Sequence, residues 1–305
     1  SLTNVKVIGN LAINANLNNS SYGYAGGMIG YSGSNLNISA SGMAASGSIN
    51  GGQRTGGLIG GVDQSKTIKV NASTVTMQGL TISGEYGAAG ILPDTNGGTV
   101  ELSGTNVLYA NSGENITDNI INGNSANAGG MIGTVSGGTT DLTSCVVGST
   151  GSIDSTLVIK GQKYIGGAVG YSNNGDLSSN RTVVAGKRVL VYSNGNSANT
   201  DSHAGGYIGL TNGGKFNPTD CSASVYVYSN GNTAGGFLGQ EQGGTNGLIQ
   251  YCYSGGHTSK GAYKVSSLIT KDASNNDVIN WEDGGINVKS YHCAGGFAGY
   301  LGDSG

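Results

Sequence analysis

Apolar positions along this chain come in short bursts rather than long stripes. Runs such as KVNASTVTM from Lys69, TVELSGTNVLY from Thr99 and SASVYVY from Ser222 are rich in β-branched and aromatic residues. Short runs of this kind, bounded by Gly, Asn and Ser, predict β-strands joined by turns. Between them recurs one six-residue pattern: a small or apolar residue, Gly-Gly, an apolar residue, an aliphatic residue, Gly. It reads AGGMIG from Ala25, TGGLIG from Thr55, AGGMIG from Ala128, IGGAVG from Ile165, AGGYIG from Ala204, AGGFLG from Ala234 and AGGFAG from Ala294. A degenerate copy, AGILPD, begins at Ala89, and successive first glycines (Ala89 in that copy) lie 30, 33, 40, 37, 39, 30 and 60 residues apart.

A unit of this length with two or three strands cannot bury an apolar face by itself, but stacked units form a continuous core. The expectation is an all-β parallel β-helix or solenoid with coils of about 30–40 residues, wound right-handed because parallel crossovers prefer that hand. The whole of 1–305 reads as one repeat-built segment of a longer protein, with an irregular insertion at about 257–291. Strand alternation predicts the facing of the signature. Its uniformly aliphatic fifth residue (Ile29, Ile59, Leu92, Ile132, Val169, Ile208, Leu238, and Ala298 in the last copy) should point into the core. The residue before it (Met28, Leu58, Ile91, Met131, Ala168, Tyr207, Phe237, Phe297) should then face outward, under another layer of chain or a partner.

Composition narrows the class. With 59 Gly but 2 Pro, and no Gly at every third place, the chain is not collagen. Its β-rich runs and 10% charged residues argue against disorder. A net charge of −3 offers no footprint for nucleic acid or an anionic membrane, and no stretch has the length of a membrane span. GxGxxG-like strings recur without Lys-Ser/Thr and without a following helix, so a phosphate loop is not expected.

Four cysteines, Cys145, Cys221, Cys252 and Cys293, form no CxxC pair, and three His give a zinc site little support. Cys145 and Cys221 lie 16 residues after the first glycine of their signatures and Cys252 lies 17 after its own, which puts Cys221 and Cys252 on neighbouring coils. A Cys221–Cys252 disulfide is one reading; a column of buried free thiols packing as small hydrophobes is the other.

The interval after His257 interrupts the repeat and holds Lys260, Lys264, Lys271, Asp272, Asp277, Glu282, Asp283 and Lys289, together with the single Trp, Trp281. Trp281 with Asp272, Asp277, Glu282 and Asp283 is the candidate ligand-binding group, and Asp272, Ser274, Asn276 and Asp277 offer oxygens for Ca²⁺. A solvated loop anchored by Trp281 accounts for the same residues. No other cofactor and no resident metal is expected. Tyr192 and Tyr228 precede the near-identical turns YSNGNSAN and YSNGNTAG on successive coils, so a stacked tyrosine column is a second recognition candidate. Internal stacking explains it equally. Elsewhere Asp63, Glu85, Glu101, Asp141 and Asp176 are scattered singly, which suggests no catalytic residue and a protein that is not an enzyme.

GGFLGQEQGGTNGLIQYCYSGG, Gly235 to Gly256, and more loosely GGMIGTVSGGTTDLTSCVVG from Gly129, resemble the GLUG-motif repeats of bacterial surface proteins. Residues 89–94 and the interval after Gly256 depart from that pattern. The resemblance implies a secreted or cell-surface location and an adhesin-like scaffold role, and it transfers no catalytic residue. The expected function is attachment to a glycan or protein of a host or neighbouring cell. A self-associating filament or sheath element is the first alternative and a carbohydrate-active β-helix enzyme the second.

Overall fold

The computed structural model describes residues 1–15, 23–110, 118–149, 155–195, 201–243, 247–255, 269–271, 277–279, 288–290 and 293–302, without the side chains of 187, 269–271, 277–279 and 289. Among these residues every regular element is a strand, and the strands form four parallel sheets and one antiparallel pair. The fold is the expected stack of parallel coils. The coils from Gly87 to Ser229 each visit four sheets in turn, one more than a three-strand coil would.

Sheet I holds the start of the signature in eight strands, from Tyr24–Gly26 through Asn127–Gly129 to Cys293–Gly295. Sheet II takes its end, from Leu92–Asp94 to Ala298–Leu301, and sheet III runs from Leu2–Thr3 to Lys215–Thr219. Sheet IV is the widest, with strands such as Thr74–Gly84 and Val183–Ser193. Equivalent residues pair coil to coil: Thr55 with Ala25 and Ala88, Ala128 with Ala88 and Ile165, Ala204 with Ile165 and Ala234. The degenerate copy thus keeps its place, with Ala88 and Ala89 where other coils carry Ala-Gly and Leu92 registered on Ile132.

The fifth-position column is buried as expected, with Ile59, Leu92, Ile132, Val169, Ile208 and Leu238 at most 1% exposed. The fourth-position column corrects the alternation argument. Leu58, Ile91, Met131, Ala168, Tyr207 and Phe237 are also fully buried, in the same core cluster. Tyr207 stacks on Phe237 at 4.7 Å between ring centroids and Phe237 on Phe297 at 4.9 Å. The Tyr207 hydroxyl meets Ser179 of sheet III. The physical reason is a break in the strand: the second glycine and the residue after it form a bend between sheets I and II, and alternation holds only within one strand. Glycine is required there, because a Cβ on Gly130 would collide with the Gly167 carbonyl of the next coil and with Val147.

The corner between sheets III and IV is built differently. Asn4, Ala40, Ala72, Gly104, Ser144, Arg181, Asp220 and Tyr251 occupy it with φ between 45° and 58°, the left-handed region. The register of sheet IV places Val5, Ser41, Ser73, Thr105, Cys145, Thr182, Cys221 and Cys252 in one column immediately after them, and all but Val5 carry a hydroxyl or a thiol. These side chains donate to nearby carbonyls: Ser41 to Ser39 at 2.9 Å, Ser73 to Asn71 at 3.0 Å, Thr182 to Leu142 at 3.0 Å. The irregular interval rejoins the stack where Val288 pairs with Val227, and within it Ile269–Lys271 pairs antiparallel with Asp277–Ile279.

Candidate functional site

Sheet IV carries its recognition candidates on its outer side. Lys160, Tyr192 and Tyr228 form one register column there, and the backbone of Lys289 continues the register. The Tyr192 and Tyr228 rings lie 5.2 Å apart and tilted by 44°, an inclined pair rather than a stack. Val158, Leu190, Tyr192 and Tyr226 make a second apolar cluster, separate from the core, against which Tyr228 packs. Tyr192 is 6% exposed while Tyr228 is half-buried, so Tyr228 presents the pair's accessible surface.

Two further tyrosine pairs escaped the sequence reading. Tyr24 and Tyr31 lie 5.0 Å apart, and Tyr164 and Tyr171 4.6 Å apart. Each pair flanks one copy of the signature, seven residues apart, because the bend folds the two flanks against each other. The same pairing joins Asn127 to Thr134 by a 3.1 Å hydrogen bond. The signal was therefore present in the residues just outside the six-residue pattern. Burial pushes the Tyr164 hydroxyl up to about 12, helped by the Asp201 carboxylate. His203 stacks on Tyr164 at 5.5 Å, and its Nδ1 meets Thr233 Oγ1 at 2.8 Å. Burial holds His203 down at about 4, against a smaller opposing pull from Asp201.

Sheet III presents an outward row of Asn37, Lys69, Glu101, Asp141, Ser178 and Asn217. Glu101 and Asp141, scattered in sequence, are register neighbours in space, about 4.8 Å apart at Cα. Lys69 pairs with Glu101 at 2.8 Å on this exposed face, and such a contact contributes at most about 1 kcal/mol. Arg54 holds the buried Asp94 at 2.8 Å across the sheet I–II corner. Among the described residues no group of three His, Cys, Asp or Glu is gathered in a way that could hold a metal ion.

Trp281, Asp272, Glu282 and Asp283 lie outside the described residues, and Asp277 is described by its backbone alone. Cys221 and Cys252 are adjacent in the III–IV corner column with both thiols free. Cys145, in the same column, is fully buried, and desolvation pushes its thiol up to about 11.

No family model matches this chain. No curated protein matches it either. Among solved structures it is similar to the crystal structure of "a putative immunoglobulin A1 protease from Bacteroides ovatus", at 13% identity over 84% of this chain and 87% of that one, with a TM-score of 0.44. The expectation that the chain is not an enzyme is corrected here, because the solved structure it resembles bears a protease's name. A likeness this distant assigns the chain no activity of its own.

Proposed function

We propose that this chain is an extracellular bacterial surface scaffold, of the kind its GLUG-like repeats suggest, that presents an elongated stack of strands to a glycan or protein. The observation that carries this reading is the unbroken register: in sheet I eight successive coils pair residue on residue. Outward side chains therefore repeat along one axis at about 4.8 Å per coil, which offers a polymeric ligand many equivalent weak contacts. Tyr228, Tyr31 and Tyr171 supply exposed or half-exposed aromatic surface beside the polar rows. Tyrosine suits recognition because a rigid ring contributes area at low entropic cost while its hydroxyl seeks a partner.

The test is retention of the purified chain on immobilised glycans and extracellular-matrix proteins, with the eluate analysed for new products. Retention with the ligand intact, weakened at least fivefold by Tyr228→Ala or Tyr171→Ala, is the expected result. Absence of retention across the panel would remove the reading. The register pairing of Glu101 with Asp141 favours a second reading, a carbohydrate-active enzyme, since glycoside hydrolysis uses two neighbouring carboxyl groups. Release of new sugar ends that Glu101→Gln abolishes would establish it over the first.

A further inference from the structure

We propose that Cys221 and Cys252 are a disulfide site that staples two neighbouring coils, and that no other two of the four cysteines can be joined. The register decides the pairing. Ser222 pairs with Tyr253, and the Tyr253 N–H donates to the Cys221 carbonyl at 3.1 Å, so the two cysteines hold successive places in the corner column. One strand spacing separates them, about 4.8 Å, inside the usual disulfide span of roughly 4.4–6.8 Å between Cα atoms.

The other pairings fail on distance. Val146 pairs with Val183 and Val183 with Ser222, so Thr182 stands between Cys145 and Cys221. That is two spacings, about 9.6 Å, beyond the reach of a bridge. Cys293 belongs to sheet I, where it pairs with Thr233. The strand Ser222–Ser229 separates that column from Cys221, a width of roughly 25 Å.

The composition of the column supplies a second argument. Elsewhere it holds the hydroxyls of Ser41, Ser73, Thr105 and Thr182, with Val5 and Cys145 as the exceptions, and hydroxyls donate well whereas thiols donate weakly. Cys221 reaches the Thr219 carbonyl at 3.3 Å and Cys252 the Gln250 carbonyl at 3.2 Å. Two successive cysteines thus give up hydrogen-bond strength at a turn, and a bond between them offsets that loss. The oxidation needs a partner disulfide. Cys252, the more exposed of the two, loses its proton and attacks one sulfur of a small-molecule disulfide, giving a mixed disulfide and one released thiolate. Cys221 then loses its proton and attacks the Cys252 sulfur, closing the bridge and releasing the second thiolate. Two electrons pass to the small disulfide, which leaves as two thiols.

The full chain is incubated with glutathione disulfide at pH 8, the remaining thiols are alkylated, and the peptides are mapped without reduction. The expected result is one crosslink, joining the Cys221 and Cys252 peptides and two hydrogens lighter than their sum, with Cys145 and Cys293 alkylated. Cys252→Ser should abolish it while keeping the far-ultraviolet spectrum, because serine is the native occupant of this column at Ser41 and Ser73. Oxidation should raise Tm in the parent chain and in Cys145→Ser but not in Cys252→Ser. Alkylation of both Cys221 and Cys252, or a crosslink through Cys145 or Cys293, would overturn the proposal.

Discussion

The two corners of each coil that frame sheets I–II and III–IV solve the same problem by different chemistry. At the I–II corner the backbone of the next coil comes so close that a Cβ has no room, as Gly130 shows against Gly167. Residue identity is forced there, and the pattern repeats visibly. At the III–IV corner the turning residue is Ala, Gly, Ser, Arg, Asp, Asn or Tyr, all in the left-handed region. What recurs from Ser41 onward is the residue after it, a small side chain that donates to a carbonyl. Sterics write a legible motif, whereas hydrogen bonding accepts any donor of the right size and hides the repeat.

Four measurements can break or sharpen this contrast. The largest effect is expected from Gly130→Val, whose branched side chain meets backbone that cannot yield; a loss of about 3 kcal/mol or more in denaturant unfolding follows from overpacking. A variant as stable as the parent would show that the I–II corner is not sterically closed. Next comes pH. His203 is neutral in the folded chain, with its proton affinity lowered from 6.5 to about 4. The unfolded chain therefore binds the extra proton first as pH drops. Stability should be complete above about pH 6.5 and fall by roughly 3 kcal/mol by pH 4, and His203→Gln should flatten that part of the profile.

At the other corner, Ser73→Ala removes the acceptor of the Ser41 N–H, a 3.3 Å bond, and the donor to the Asn71 carbonyl. A buried N–H left without a partner should cost about 1–2 kcal/mol, read as a lower Tm. A neutral result would mean that the column does not hold the turn. The smallest effect is reserved for Ala72→Gly. Glycine relieves the left-handed strain at φ 45° but loses more entropy on folding, so the net change should be stabilising and within about 0.5 kcal/mol. A clear loss of stability would place the importance of this corner in the turning residue rather than in the one after it.

The tyrosine and carboxylate groupings follow the same division. Tyr192 and Tyr228 were legible because their flanking turns repeat. Tyr24 with Tyr31 and Tyr164 with Tyr171 had a constant spacing around the motif, but only the bend shows that seven residues along the chain become 5.0 and 4.6 Å in space. Glu101 and Asp141 lie 40 positions apart and become neighbours because the intervening coil is one full turn.

By itself the sequence determined the stacked parallel architecture, the coil spacing and the aliphatic column from Ile59 to Leu238. Those features rest on glycine sterics and periodic burial, which are local and repeat with every coil. The tertiary structure alone decided that Tyr207 and Phe237 face inward, that hydroxyls and thiols share one column, and that Cys145 stands two coils from Cys221. Each of these depends on where a bend interrupts alternation or on register between coils of unequal length. Neither is set by any single coil, because register is fixed only when one coil hydrogen-bonds to the next.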